Sequence, residues 1–78
     1  MPREQIEAKV VAVLSAILRQ PVEASATREA LAQWDSLKHI EIVFALEEEL
    51  GIQFAEAELT ELDSVKRIVD AAIAHHAT

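Results

Sequence analysis

Apolar side chains recur at helical spacing in the first third of the chain. They occupy positions i, i+4, i+7, i+8, i+11 and i+12 of one stripe: Ile6, Val10, Val13, Leu14, Ile17 and Leu18. A stripe with this period is typical of an amphipathic helix that packs one side on a core. The pattern predicts a first helix over residues 3–19. Pro21 ends it, because proline disfavours helical geometry in the residue before it.

Residues 20–35 carry no sustained period. Their candidate anchors are Val22, Leu31 and Trp34. A connection of this length is unusual in a small domain, and long loops tend to be functional or to contain a short helix of their own. We expect such a turn of helix at residues 30–32.

A second helix is predicted between two sharp boundary signals. Asp35 or Ser36 supplies the N-cap side chain, which accepts a hydrogen bond from a free N–H group of the first turn. The apolar pattern then continues to Leu50, and Gly51 can adopt the left-handed conformation that closes a helix. These signals predict a helix over residues 36–50.

The last part of the chain predicts two more helices and no strand. Residues 55–62 are expected to form a short third helix. Asp63 or Ser64 caps a last helix over residues 64–75. The apolar stripe of that helix has helical spacing and consists of Val65, Ile68, Val69, Ala72 and Ile73. The order of elements predicts an all-α four-helix bundle, a single domain spanning residues 1–78, with a long loop between helices one and two.

The second helix has apolar residues on two opposite sides. One cluster consists of Ile42, Val43, Leu46 and Leu50, and the other of Leu37, Ile40 and Phe44. Two interpretations are open. Neighbouring elements cover both sides, as around the inner helix of a bundle, or the second cluster is a docking face. Glu41, Glu47 and Glu48 border that cluster, which suits a basic and partly hydrophobic partner.

Composition narrows the class of protein. The 78 residues include 7 basic and 14 acidic ones, for a net charge of −7. This charge disfavours nucleic-acid binding and anionic membranes. The lack of cysteine excludes a disulfide, a thiolate nucleophile or a cysteine-ligated zinc site. An apolar fraction of 51% is too high for a disordered acidic tail. We expect a cytoplasmic protein without membrane insertion, because there is neither a signal-peptide pattern nor a long apolar run.

The negative charge is concentrated around the second helix. Residues 35–63 hold nine acidic side chains and a single base, Lys38, so this window carries −8 and the rest of the chain +1. A solvated acidic face is the ordinary explanation for such a run. Here, however, the window begins one residue before Ser36, a serine at a predicted helix start.

The segment around this serine resembles a known family. Its sequence is Trp34-Asp35-Ser36-Leu37-Lys38-His39-Ile40, followed by the acidic helix that ends at Leu50-Gly51-Ile52. Together with the Leu62-Asp63-Ser64-Val65 entry to the last helix, it is similar to the acyl carrier proteins. The resemblance covers nearly the whole chain and implies the four-helix fold of that family.

The resemblance implies a specific chemistry. A phosphopantetheinyl transferase would move 4′-phosphopantetheine from coenzyme A onto the hydroxyl of Ser36. The thiol of this arm would carry acyl or aminoacyl groups as thioesters between enzymes of fatty-acid, polyketide or related biosynthesis. The carrier itself would have no catalytic residues and no metal site, and we expect a monomer.

The same resemblance implies a partner-binding surface on the second helix. Loading enzymes and downstream synthase enzymes with basic docking surfaces would contact acidic and apolar positions of that face: Asp35, Leu37, Ile40, Glu41, Phe44, Glu47 and Glu48. The chain departs from the common family pattern at Gln33, where many relatives have glycine, and at Lys38, on an often acidic surface. The Trp34-Asp35-Ser36-Leu37 motif, with His39 three residues after the serine, resembles that of carriers dedicated to one specialised pathway. We expect Trp34 to anchor the loop on the core and His39 to pack inward.

Two other functions are compatible with parts of the sequence. A hydrolase built on Ser36 and His39 is disfavoured, because the two side chains point in different directions and no third group orients the imidazole. The other alternative is a helical interaction domain that never receives the arm and binds basic partners through its acidic second helix. The mass of the chain after incubation with a transferase, Mg²⁺ and coenzyme A distinguishes this interaction domain from a carrier.

Overall fold

Four helical segments make up the regular structure. A computed structural model describes residues 2–76 and places α1 at Arg3–Leu18, α2 at Ser36–Leu50, a 3-10 helix at Glu56–Glu61 and α3 at Val65–His76. The predicted all-α fold with a short third helix is confirmed. The predicted bounds agree with these helices to within one residue at each end. No strand forms within residues 2–76.

The end of α1 lies before the proline that was expected to stop it. Arg19 adopts the left-handed conformation with φ 56°, and its N–H group donates to the carbonyl oxygen of Ser15. The hydroxyl of Ser15 also accepts a hydrogen bond from the N–H group of Val22 at 3.1 Å. The helix is therefore closed by its own last turn, and Pro21 follows an end already formed.

The core lies where α1 packs against both α2 and α3. The stripes predicted from the sequence supply most of it. Their buried members are Ile6, Val10, Leu14 and Leu18 of α1, Ile42, Val43, Leu46 and Leu50 of α2, and Val65, Ile68, Val69 and Ala72 of α3. Val13, Ile17 and Ile73 are partly buried at the margin. None of the helices within residues 2–76 is long and apolar enough to cross a membrane.

Local hydrogen bonds fix the helix ends that matter for the site. The carboxylate of Asp35 accepts a hydrogen bond from the N–H group of Lys38 at 2.9 Å, so Asp35 is the N-cap of α2. Gly51 closes α2 with φ 65°. A positive φ of this size favours glycine, since a Cβ atom would be strained there. The hydroxyl of Ser64 accepts from the N–H group of Arg67 at 3.1 Å and caps α3.

The long loop between α1 and α2 is tied to the start of α3. It consists of successive turns, and the helical turn expected at residues 30–32 is absent. Val22 and Trp34 are buried in the core, as expected, and Leu31 is half-buried. Two backbone hydrogen bonds join the loop to the start of α3, from Arg28 N–H to Asp63 O at 2.8 Å and from Val65 N–H to Ala26 O at 3.0 Å. Together they form an isolated antiparallel bridge between Thr27 and Ser64.

Candidate functional site

Ser36 is the first residue of α2, and its side chain is exposed. The position follows from the capping of the helix, because Asp35 takes the N-cap and leaves Ser36 in the first helical turn. The free N–H groups and the positive end of the helix favour an anionic group near this point. The hydroxyl is accessible to a second macromolecule, and the local electrostatics suit a phosphate ester on it.

A guanidinium group lies beside this hydroxyl. Arg28 Nη2 is 3.5 Å from Ser36 Oγ, and Arg28 Nε donates a hydrogen bond to the carbonyl oxygen of Trp34 at 3.1 Å. Sequence reasoning missed Arg28. The available signal was that it is the only basic residue in the loop of residues 20–35. The side chain brings positive charge to a surface that is otherwise acidic.

A buried histidine joins three parts of the chain behind Ser36. The indole N–H of Trp34 donates to His39 Nδ1 at 2.9 Å, and His39 Nε2 lies 2.7 Å from the carbonyl oxygen of Leu59 in the 3-10 helix. Because the indole nitrogen can only donate, Nδ1 accepts, and Nε2 carries the hydrogen donated to Leu59. The expected packing roles of Trp34 and His39 are confirmed by their burial.

This network also bears on the hydrolase alternative. Both ring nitrogens of His39 are engaged with Trp34 and Leu59, and neither is directed at Ser36. A general base must reach the hydroxyl proton that it removes. The geometry therefore does not form a Ser36–His39 pair, in agreement with the sequence argument against it.

The second apolar cluster of α2 is not covered by any neighbouring element. Leu37, Ile40 and Phe44 are exposed by 66%, 49% and 65% respectively. The interpretation that both sides of α2 are enclosed in the bundle is therefore wrong. Single exposed apolar residues are ordinary, but three on one helix face next to Ser36 form a continuous surface of a kind that marks interaction sites.

Most of the predicted acidic partner positions are exposed around this cluster. Asp35, Glu41 and Glu48 are exposed, and Glu41 lies 3.6 Å from Lys38 in an ion pair within α2. Glu47 is less accessible than these three. It is half-buried, and its Oε2 accepts a hydrogen bond from the N–H group of Phe54 at 2.9 Å. A helical wheel does not show this contact, because it depends on the following segment folding back onto the carboxylate.

An apolar groove separates α2 from the 3-10 helix. Its volume is about 260 Å³, and it is lined by His39, Ile40, Val43, Phe44, Glu56 and Leu59. The groove borders the exposed cluster of α2. Its wall on the side of the 3-10 helix is held in place by the bond between His39 and Leu59.

The carboxylate of Glu58 caps the start of the 3-10 helix and links it to α3. Glu58 Oε1 accepts a hydrogen bond from the N–H group of Ala55 at 2.7 Å, and it also pairs with His75 of α3. The bond from Ala55, and then the contact with His75, hold the pKa of Glu58 below its ordinary value of 4.5. The ionised form of Glu58 is therefore the one that stabilises this corner of the fold.

The residues present fit a phosphate-linked arm. Ser36 offers an exposed oxygen as the attachment atom, the start of α2 offers N–H groups, and Arg28 offers a neighbouring positive charge. When bound, 4′-phosphopantetheine would supply the thiol that this cysteine-free chain lacks.

Comparison with known proteins agrees with this geometry. The model of the family described as phosphopantetheine attachment site matches residues 8–72, a range that includes α2 and the whole loop before it. A comparison with curated proteins gave no significant match. Domains of the matched family carry covalently attached 4′-phosphopantetheine and are generally non-catalytic. Since the match covers most of the sequence, the chain belongs to the phosphopantetheine-binding carrier proteins.

Proposed function

We propose that Ser36 is the attachment residue, and that residues 1–78 form one carrier domain that transports acyl or aminoacyl groups as thioesters. The observation that carries this proposal is the exposed Ser36 hydroxyl at the start of α2, inside the region matched by the family. The other serines are less suited. Ser15 and Ser64 accept backbone hydrogen bonds, and Ser25 lies in a turn outside any helix.

The loading step is a phosphoryl transfer onto Ser36. Its hydroxyl oxygen forms a bond to the phosphorus of coenzyme A that bears the pantetheine. The bond from that phosphorus to the adenosine 3′,5′-bisphosphate leaving group breaks, and the hydroxyl proton passes to the transferase. The chain contributes an exposed nucleophile. His39 does not act as the general base, because both of its ring nitrogens are engaged elsewhere.

The proposed partner surface consists of the exposed apolar cluster and the carboxylates around it. Leu37, Ile40 and Phe44 would fill apolar recesses of a partner, while Asp35, Glu41 and Glu48 would meet basic side chains. The free oxygen of Glu47 belongs to the same surface. Opposite charges of this kind speed encounter and exclude wrong partners. The partners are the phosphopantetheinyl transferase, an enzyme that loads the thiol, and downstream synthase enzymes.

The Trp34-Asp35-Ser36-Leu37 motif and Lys38 support a carrier with selective partners. A cation two residues after the attachment serine repels some basic docking surfaces and admits others. We propose a cytoplasmic, monomeric carrier that is dedicated to one route of polyketide, fatty-acid or related biosynthesis. Tethering the cargo would raise its effective concentration at each active site in turn.

Intact-protein mass spectrometry tests the proposal. After incubation with a phosphopantetheinyl transferase, Mg²⁺ and coenzyme A, the wild-type chain should gain one phosphopantetheine. Ser36→Ala should gain none. Ser25→Ala, which removes an exposed hydroxyl outside the site, should be modified like the wild type. An unmodified wild-type chain, under conditions that fully load a control carrier, would show instead an interaction domain that never receives the arm.

A further inference from the structure

We propose that Arg28 is the positioning residue for the phosphodiester of the loaded chain. Its guanidinium neutralises the negative charge that modification places on Ser36 and fixes the direction in which the arm leaves the surface. This inference rests on the proposed attachment at Ser36 and adds a residue from the loop before α2 to the site.

The side chain of Arg28 is held in position from two directions. Its backbone N–H group donates to Asp63 O at 2.8 Å, which fixes the Cα atom against the start of α3. Its Nε donates at 3.1 Å to the carbonyl oxygen of Trp34, whose own side chain is buried in the core. With both points fixed, the outer nitrogens are oriented, and Nη2 lies 3.5 Å from Ser36 Oγ. The atom that would bear the phosphorus is already in contact with the guanidinium.

The charge of Arg28 is available for an anion. Within residues 2–76, no carboxylate forms an ion pair with it. The other cation near Ser36 in sequence, Lys38, is paired with Glu41 at 3.6 Å. Modification adds a negative charge next to Asp35, at the edge of the acidic window. A nearby opposite charge offsets the repulsion between such like charges.

Arginine is better suited to this position than lysine. The planar guanidinium has five donors in a fixed fork, so Nε can keep its bond to Trp34 while the outer nitrogens donate to phosphate oxygens. Hydrogen bonds between charged groups are shorter and stronger than neutral ones. A lysine ammonium would supply the charge but could not reproduce both directed bonds at once.

The test is a thermodynamic cycle that combines the loading of Ser36 with the substitution of Arg28. The unfolding constant in urea is measured for unmodified and loaded chains, each as wild type and as Arg28→Gln, at low salt. We expect loading to lower the unfolding constant about fivefold more in the wild type than in Arg28→Gln, which corresponds to about 1 kcal/mol. The difference should shrink in 0.5 M NaCl because salt screens a partly exposed pair. The ³¹P resonance of the phosphodiester should also move in Arg28→Gln.

Lys66→Gln is the matched control, since it removes one positive charge from the exposed face of α3. The effect of loading on the unfolding constant and the ³¹P resonance should both stay at their wild-type values. Equal effects of loading in the wild type and Arg28→Gln, with an unmoved ³¹P resonance, would overturn the inference. If Arg28→Gln fails to fold, Arg28→Lys replaces it in the same measurement. An effect of loading on the unfolding constant of Arg28→Lys that equals the effect in the wild type would overturn the role of the guanidinium. Failure of the wild type to be loaded would instead refute the attachment at Ser36.

Discussion

His39→Ala should destabilise the fold far more than the loss of one partly polar side chain suggests. His39 accepts a hydrogen bond from the buried indole of Trp34 and donates one to Leu59. Its ring is also stacked on the indole, with centroids 6.0 Å apart. The substitution therefore acts on the loop, α2 and the 3-10 helix at the same time.

The magnitude follows from what each partner loses. The Trp34 N–H group stays buried without an acceptor, at a cost of about 1–3 kcal/mol. The Leu59 carbonyl is only part-buried and also accepts from the N–H group of Leu62 at 3.4 Å, so its loss is near the ordinary net value of about 1 kcal/mol. Loss of the stacked ring adds about 0.5–1.5 kcal/mol. We expect a total of about 4 kcal/mol, a large share of the roughly 5–15 kcal/mol that stabilises a typical domain.

Urea denaturation followed by far-ultraviolet circular dichroism measures this loss. Trp34→Phe provides the matched background, because it removes the indole donor and keeps an aromatic ring. In that background His39→Ala should cost only about 1.5–2.5 kcal/mol, since no buried donor is left to satisfy. The coupling between the two positions is then about 1–3 kcal/mol, within the usual range for residues in contact.

Two results would refute the reasoning. A cost of His39→Ala below about 1 kcal/mol would mean that the indole finds another acceptor or water. An equal cost in the wild-type and Trp34→Phe backgrounds would mean that the two side chains contribute independently, and that the hydrogen bond adds nothing to simple burial.

Two other predictions concern charge. Glu41→Lys combined with Glu48→Lys should slow the loading of the chain by the transferase, because both carboxylates are exposed around the apolar cluster. The loading rate should also depend less on ionic strength, and loading rates measured across a salt series test both effects. Glu58→Gln should make the free energy of unfolding decrease less as the pH is lowered. Ionised Glu58 stabilises the fold above about pH 4.5, and this contribution is lost as pH falls through its lowered pKa in the folded chain. Urea titrations from pH 7 to pH 3 measure it.

Matched substitutions separate these effects from general changes in charge. Glu4→Lys with Glu23→Lys makes the same charge change outside the acidic window, and should leave the loading rate near that of the wild type. A comparable slowing in both double variants would assign the effect to net charge alone. Glu61→Gln removes an exposed carboxylate from the same 3-10 helix and should leave the acid-induced decrease in the free energy of unfolding unchanged. If Glu61→Gln reduces that decrease as much as Glu58→Gln does, the contact of Glu58 with Ala55 is not the origin of the pH dependence.

The helices were predictable because their signals are local. Period 3.6 places Leu46 and Phe44 on opposite sides of α2 without any knowledge of the neighbours, although only the structure shows that the side with Phe44 is exposed. Asp35 and Gly51 mark the ends of α2 through the chemistry of single residues. The direction of His39 followed from the same wheel. Ser36 was found by its position between a loop and an acidic helix, and by resemblance.

The contacts that the sequence did not predict depend on how the loop before α2 and the segment after α2 fold back onto this helix. Nothing periodic in residues 20–35 indicates that Arg28 reaches Ser36, eight residues later in the chain. Likewise, the role of Glu47 depends on the path of the chain after Gly51, which brings the N–H group of Phe54 onto its carboxylate. Contacts of this kind arise from tertiary packing, and propensity and period do not encode them.

The division of α2 into one buried and one exposed apolar row has an evolutionary consequence. Leu37, Ile40 and Phe44 are largely outside the core, so their replacement removes little buried area and is weakly opposed by folding. Ile42 and Leu46, on the other side of the same helix, are fully buried and tolerate few changes. Selection for a new partner can therefore act on the outer row at nearly constant stability. Duplicated copies of such a gene could diverge in partner preference while the fold stays the same.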